Sequence, residues 1–299
     1  MVNPLNLNNQ LAWAHDENDS SGYFHTYDAL TFNADDLPRK VHVFLPRNYS
    51  TSNHRYPVIY MNDGNTAFWP NGVSSYSWQV PNTLTKLYQK PDIQSVIIVA
   101  IHPLDRADEY LHVEEIADPL RPWTRKGGGL AKYSEYLLQV KEFIDVTYNT
   151  LKSGKDTTII GSSHGGLAAF YTGCTHPQHF GNVGALSPSF WVGLILANTR
   201  KSLQESALIT QLHPFLQKGE KHHPRIWIDW GLKRSDGFHN SFIEAQATDR
   251  SKEMIHLLGK EYGYILGKDL FKYEDRIGGH DEQAWAYRFG LILKTYYSA

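Results

Sequence analysis

Residues 161–165 read Gly-Ser-Ser-His-Gly, a pattern that can present one serine for nucleophilic attack. The apolar run 157–160 comes before it and the helix-like run 167–171 follows, so we expect a strand, a sharp turn and a helix. Ser163 stands at the strained centre of that turn, where side chains two residues before and after it would collide. Glycine at both of those positions therefore predicts that Ser163 is an exposed nucleophile.

A serine hydroxyl is a weak nucleophile near neutral pH, so Ser163 needs a base and a third group that orients the base. Among the fifteen histidines, His280 has the most suitable position. It follows a strand-like run and two glycines and precedes the last helix, which predicts a loop at the carboxyl end of a strand. The predicted turn opens at the same edge of the sheet. His164 adjoins Ser163 but would point away from it, so we predict that His280 is the base.

The orienting acid should lie between the serine and the histidine along the chain, the order found in this kind of strand-turn-helix site. Two aspartates qualify. Asp236 follows the predicted strand 225–231 on a loop, and loops often carry catalytic groups. Asp229 lies within the strand and is the alternative. Asp236 is preferred, although Ser-Asp-Gly at 235–237 is also a common turn composition.

Acyl transfer also requires hydrogen-bond donors for the negative oxygen that forms during the reaction, and losing one donor costs on the order of 3 kcal/mol. The backbone N–H of His164, at the start of a helix, is one predicted donor. The second is the backbone N–H of Asn65 in the loop 62–65. The alternative interpretation of this loop is that Asp63 and Gly64 form only a tight turn.

Composition excludes several other classes of function. The formal net charge of −2 leaves no basic excess for nucleic acid or for an anionic membrane surface. The residues around His280 lack the spacing of a zinc or calcium site, and the single Cys174 cannot form a thiolate cage. We therefore expect no metal and no cofactor, and a small-molecule ester as the partner.

The amino-terminal residues lack the basic start and apolar core of a signal peptide. No apolar run in the chain approaches the length needed to span a membrane. We therefore expect a soluble cytoplasmic protein.

Strand-like and helix-like segments alternate along the chain, which predicts an α/β fold with a mainly parallel central sheet and helices on both faces. Residues 1–21 are polar and predict a flexible N-terminal arm, followed by a single domain at 22–299. Residues 102–129 have little periodicity and predict a long loop. The predicted strands are 39–46, 56–61, 95–101, 157–160, 183–187, 225–231 and 270–275, and the predicted helices are near 83–90, 137–148 and 285–296.

Short motifs span most of residues 24–295, at 41–46, 56–60, 63–65, 106–110, 161–165, 176–181, 187–191, 278–281 and Trp285. Together they resemble the Putative esterase family of α/β-hydrolases. This family includes enterochelin esterases, feruloyl esterases, S-formylglutathione hydrolase and the mycolyltransferases. The resemblance implies an α/β-hydrolase fold, with Ser163 as nucleophile, His280 as base, and Asn65 and His164 as oxyanion donors.

Together these features predict a serine carboxylic ester hydrolase that forms an acyl-enzyme through a Ser-His-Asp triad. The long loop at 102–130 favours a sizeable pocket, and hence a siderophore-type or sugar-linked ester. Two alternatives remain open at this point. One is acyl transfer to an alcohol by the same triad, and the other is a binding protein that keeps the fold without turnover.

Overall fold

A computed structural model describes residues 2–71, 74–90, 92–118, 121–194, 202–217 and 223–298. Within these ranges, ten strands form one sheet in the order β1-β2-β3-β4-β6-β5-β9-β10-β11-β12, and β7 and β8 form a separate hairpin. The strands are β1 Val2–Leu7, β2 Gln10–His15, β3 Gly22–Leu30, β4 Arg39–Pro46, β5 Val58–Met61, β6 Ile97–Ile101, β7 Glu114–Asp118, β8 Arg121–Gly127, β9 Thr157–Ser162, β10 Asn182–Leu186, β11 Arg225–Gly231 and β12 Leu270–Asp275.

Helices cover both faces of this sheet. Successive residues of the central strands alternate between two apolar clusters, as expected for strands that are buried on both faces. Helices α4, α5 and α7 pack into one cluster, and α2 and α8 pack into the other. The helices are α1 Gly64–Ala67, α2 Val80–Gln89, α3 Arg106–Tyr110, α4 Leu130–Thr147, α5 His164–Thr175, α6 Ala207–Leu212, α7 Glu244–Tyr262 and α8 Glu282–Tyr297.

The pairing directions set where functional groups can meet. Strands β6, β5, β9, β10, β11 and β12 run parallel to one another, whereas β1 to β4 are antiparallel to their neighbours. The carboxyl ends of β9, β11 and β12 therefore lie at the same edge of the sheet. The predicted α/β class with a mainly parallel central sheet is confirmed, and the strands predicted at 39–46, 225–231 and 270–275 have the predicted bounds.

The amino-terminal segment differs from the prediction of a flexible arm over residues 1–21. Strands β1 and β2 form a hairpin, and β2 pairs with β3 at the edge of the sheet. Ala12 on β2 is fully buried in the apolar cluster beneath it. The polar composition misled the prediction because an edge hairpin needs few apolar side chains when its backbone pairs with an existing sheet.

The predicted long loop at 102–129 also has more structure than expected. It contains the short helix α3 and the β7–β8 hairpin, while residues 119 and 120 lie outside the described part of the chain. Asp105 caps α3 by accepting hydrogen bonds from the backbone N–H groups of Ala107 and Asp108. A short capped helix and a short hairpin do not produce a long periodic pattern of apolar residues. The sequence pattern therefore did not predict either element.

No helix in the described part of the chain is both long enough and apolar enough to cross a membrane.

Substitution of a buried residue by a charged one tests whether the amino-terminal hairpin is firmly attached to the sheet. Ala12→Asp places a carboxylate in the apolar cluster, so we expect it to lower the free energy of unfolding by about 3 kcal/mol, as measured by urea denaturation. Leu11→Asp is the matched control because Leu11 is 56% exposed on the same strand. Equal stability of the two variants would mean that the segment is held as loosely as the sequence predicted.

Candidate active site

The turn between β9 and α5 has the geometry that the glycine spacing predicted. Ser163 has φ 54° and ψ −121°, a conformation that residues with a Cβ rarely adopt. A Cβ at Gly161 would collide with the carbonyl oxygen of Gly165, and a Cβ at Gly165 would lie 2.7 Å from Asp63 Oδ2. Gly161 therefore leaves no room for a side chain, and a side chain at position 165 would displace the Asp63 carboxylate, so both glycines favour the turn that carries Ser163.

Backbone hydrogen bonds hold Ser163 in this strained conformation. Its N–H donates to the carbonyl of Leu186 at 2.9 Å, and its carbonyl accepts from the N–H groups of Leu167 and Ser189, each at 3.0 Å. The side-chain oxygen Oγ lies 3.3 Å from Ser189 Oγ. The nucleophile candidate is thus anchored to α5 and to the segment that follows β10.

His280 is held by a carboxylate that the sequence analysis did not select. Glu244 Oε2 lies 2.6 Å from His280 Nδ1, and both side chains are buried. The backbone N–H of His280 donates to Asn240 Oδ1, also at 2.6 Å. Asn240 lies in a π-helical turn, His239–Ile243, that leads into α7, and Glu244 is the first residue of that helix. One short segment therefore fixes both the backbone and the ring of His280.

Asp236 does not occupy the position predicted for the acid. Its side chain is 63% exposed and pairs with Lys233. Asp236 and Gly237 have φ 71° and 90°, so they form an outward turn of the kind that Ser-Asp-Gly favours. The chain then returns to the sheet through the π-helical turn. Glu244, eight residues later, reaches His280 instead, which corrects the prediction of Asp236.

Asp229, the alternative acid, has a different set of partners. It is fully buried. Its carboxylate accepts hydrogen bonds from Arg288 Nη1 at 2.7 Å, from Trp227 Nε1 at 2.9 Å and from the backbone N–H of Ser187 at 3.2 Å. Burial raises the pKa of Asp229 to about 6, against the opposing influence of Arg288. These contacts give Asp229 a structural role in joining β11 to α8.

Arg288 connects several parts of the site, and the sequence analysis did not single it out. In addition to Asp229, its guanidinium donates to Ser187 Oγ at 3.1 Å and to the carbonyl of Gly279 at 2.8 Å. It also lies 3.6 Å from Asp275 Oδ2. The arginine therefore links the ends of β10, β11 and β12 to the loop that carries His280.

Glu244 is itself held in place by two groups besides His280. Its Oε1 accepts hydrogen bonds from Ser187 Oγ at 3.0 Å and from the backbone N–H of Gly231. One sequence signal could have identified Glu244, because it shares a helical face with the buried residues Ala247, Thr248 and Ser251. A glutamate on the buried face of a helix needs a partner.

The two predicted oxyanion donors lie at helix starts. His164 is the first residue of α5 and Asn65 is the second residue of α1. Backbone N–H groups in the first turn of a helix have no partner within that helix, so they are available to an anion. Asn62 Nδ2 donates to the carbonyl of Gly165 at 2.8 Å and fastens the loop 62–65 to the turn that carries Ser163.

Arg106 stabilises the same loop. Its Nε and Nη2 donate to the two carboxylate oxygens of Asp63 at 2.7 and 2.9 Å, and Nη2 also lies 3.3 Å from the carbonyl of Ser162. Asp63 has φ 55°, and its backbone N–H donates to Tyr110 Oη at 3.0 Å. Two residues of the short helix α3 thus hold Asp63, the residue that immediately precedes α1.

Burial keeps the histidines of the site neutral. It lowers the pKa of His280, while the hydrogen bond to Glu244 acts in the opposite direction. Burial, together with the charges of Arg106 and His280, lowers the pKa of His164 to about 3. The His164 side chain is therefore uncharged near neutral pH.

Aromatic rings surround His280. The ring centroids of Trp285, His239 and Trp191 lie 5.1, 5.9 and 6.5 Å from that of His280. The described residues contain no cluster of three or more His, Cys, Asp or Glu side chains that could hold a metal ion.

Comparison with known proteins relates this chain to esterases. The chain is 30% identical over 141 residues to the iron(III) enterobactin esterase of Dickeya dadantii, which covers 46% of the chain and 28% of that protein. It is 26% identical over 153 residues to the uncharacterized protein YbbA of Bacillus subtilis, which covers 51% of the chain and 58% of that protein. The chain thus matches only part of the length of either relative.

The solved structures agree in fold. The siderophore hydrolase EstA from Aspergillus nidulans superimposes with a TM-score of 0.68 and 16% identity, covering 93% of this chain and 97% of that one. The family described as Putative esterase matches residues 34–296, nearly the whole chain. The protein is therefore a member of the Putative esterase family with an α/β-hydrolase fold.

Proposed function

We propose that this protein is a serine carboxylic ester hydrolase in which Ser163 is the nucleophile, His280 the base and Glu244 the orienting acid. The observation that carries the proposal is the 2.6 Å contact between Glu244 Oε2 and His280 Nδ1. This pair follows β11 and β12, and the strained turn of Ser163 follows β9 at the same edge of the sheet. Membership of an esterase family supports the same reaction class.

The contact with Glu244 assigns the two nitrogens of the His280 ring. With Nδ1–H donating to the carboxylate, Nε2 is the nitrogen that accepts a proton. His280 takes the proton of Ser163 Oγ while that oxygen bonds to the ester carbonyl carbon. The resulting oxyanion receives hydrogen bonds from the backbone N–H groups of Asn65 and His164.

The intermediate then collapses and the ester C–O bond breaks. The leaving alcohol takes the proton from His280, and the acyl group remains on Ser163. A water molecule gives a proton to His280 and attacks the acyl carbon, and the second intermediate releases the carboxylic acid as the proton returns to Ser163 Oγ. Glu244 stabilises the imidazolium that forms in each half of the cycle.

We infer that the substrate is a siderophore-type ester, with sugar-linked esters as the next class to examine. The enterobactin esterase of D. dadantii and the siderophore hydrolase of A. nidulans motivate this choice. The segment predicted as a pocket-forming loop lines a cavity of about 430 Å³ between α3 and α4, but Ser163, Glu244 and His280 do not line it. The segment contributes to the site through Arg106 instead.

A serine-reactive probe and an ester panel test the reaction class. We expect a fluorophosphonate to label Ser163, and we expect hydrolysis of p-nitrophenyl acetate and of a cyclic tri-serine ester to fall by several orders of magnitude in Ser163→Ala. Ser189→Ala is the matched control because its hydroxyl is the neighbour of Ser163 Oγ. Full turnover by Ser163→Ala would refute the mechanism. If products form only when an acceptor alcohol is present, the enzyme is a transferase.

Exchange of single carboxylates tests the choice between Glu244 and Asp236. Glu244→Gln keeps the shape of the side chain but removes the charge that stabilises the imidazolium, so we expect kcat to fall by about 10²- to 10⁴-fold. Asp236→Asn should leave kcat within about twofold, because surface changes away from a site have small effects. The reverse ranking in steady-state kinetics would restore Asp236 as the acid.

The pH profile tests the role of His280. Because burial lowers its pKa below the ordinary value of 6.5, the imidazole stays neutral to lower pH than in a peptide. Activity that needs the neutral base is complete above the pKa of His280 and is lost as pH falls through it. The midpoint of the acid limb of kcat/KM should therefore lie below pH 6.5. Circular dichroism at each pH excludes acid unfolding as the cause, and a midpoint above this value would contradict the assignment.

A further inference from the structure

A buried serine stands between the arginine and the glutamate of the site. Ser187 follows β10, is fully buried and has φ 41°, a conformation that a residue with a Cβ rarely adopts. Its Oγ lies 3.1 Å from Arg288 Nη1 and 3.0 Å from Glu244 Oε1. Arg288 and Glu244 are also fully buried, so solvent does not take part in this chain of contacts.

The chemistry of the three groups sets the direction of both hydrogen bonds. A guanidinium has only donors, so Ser187 Oγ must accept from Arg288. The single hydroxyl proton of Ser187 is then free to donate to the Glu244 carboxylate. Hydrogen bonds in such a chain polarise one another, and a guanidinium at one end makes the hydroxyl a stronger donor at the other.

We propose that Ser187 is a positioning residue, whose hydroxyl, oriented by Arg288, fixes the Glu244 carboxylate so that one oxygen serves His280. This inference rests on the proposed function, because it concerns the same acid and base. The hydroxyl and the backbone N–H of Gly231 hold Oε1, and Oε2 is left for the imidazole. Direct pairing of Arg288 with Glu244 would place a cation against the carboxylate that must stabilise the imidazolium.

The strained backbone of Ser187 supports this role. The backbone N–H of Ser187 donates to the Asp229 carbonyl at 3.0 Å, and it also lies 3.2 Å from the Asp229 carboxylate. The backbone at this point is thus held firmly enough to keep a positive φ. Strain of this kind persists where the surrounding structure imposes it, and it is frequent at functional sites.

The charged and titratable groups around the pair determine the sign of the expected effect. His280 is influenced by Glu244, by His239 of the π-helical turn and by Arg288 of α8, and it acts on His164 of α5. Glu244 acts on Asp229 of β11. Removing the Ser187 hydroxyl leaves all of these charges in place and takes one donor from the Glu244 carboxylate. Without this donor the carboxylate can turn away from the imidazole and stabilises the imidazolium less, so the pKa of His280 should fall.

Two variants of Ser187 and one control test the proposal in the full-length chain. Ser187→Ala removes the hydroxyl, and Ser187→Gly removes it while relieving the positive φ, so folding is protected in at least one of them. Ser251→Ala is the control, because Ser251 is equally buried on α7 and its hydroxyl has no hydrogen-bond partner among the described residues. The measurements are kcat and KM on p-nitrophenyl acetate, and the pKa of the His280 ring from its nitrogen NMR shifts.

We expect both Ser187 variants to lower kcat by about tenfold, as for loss of one hydrogen bond to a charged group, with KM unchanged. We expect the pKa of His280 to fall by about half a unit to one unit in both variants and to stay constant in Ser251→Ala. Glu244→Gln should lower the same pKa further, because it removes the carboxylate charge itself.

The outcomes that oppose the proposal are distinct from failure of the proposed function. An unchanged His280 pKa in both Ser187 variants would overturn the proposal and leave the hydroxyl with a packing role only. If the wild-type protein hydrolyses no ester, the proposed function fails, and the NMR measurement still decides whether Ser187 acts on the Glu244–His280 pair.

Discussion

The compensation of buried charge by Arg288 is the interaction on which the rest of the site depends. Removing a carboxylate from water costs several kcal/mol unless a cation and hydrogen bonds replace the water. Arg288 supplies that replacement for Asp229 at 2.7 Å and lies 3.6 Å from Asp275, so the ends of β11 and β12 are tied to α8. Through Ser187 it also reaches Glu244. Without this guanidinium, the edge of the sheet that carries His280 would contain unpaired buried charge.

A second ion pair holds the other half of the site. Arg106 and Asp63 join α3 to the start of α1, and Arg106 also contacts the carbonyl of Ser162 just before the nucleophile candidate. Close approach between the two chain segments then requires glycine at 161 and 165. The donors for an oxyanion are backbone groups, so their placement depends on these contacts and tolerates little movement.

The path of the chain after β11 explains why Glu244, and not the predicted Asp236, contacts His280. A loop residue next to a strand is close to the site in sequence, yet the turn at Asp236 and Gly237 directs it into solvent. The π-helical turn brings the chain back and inserts Asn240 and Glu244 against His280. Such turns are frequent at functional sites because they place side chains that a regular helix would separate.

The sequence by itself determined the α/β class, the bounds of several strands, the strained turn at Ser163 and the position of His280, because these depend on local periodicity and on glycine at fixed spacing. It did not determine the partner of His280. The edge hairpin of residues 2–15, the contact of Glu244 with His280 and the placement of Arg288 are decided by the tertiary structure. They join residues 36 or more positions apart, or depend on pairing with a sheet edge, so no local pattern could reveal them.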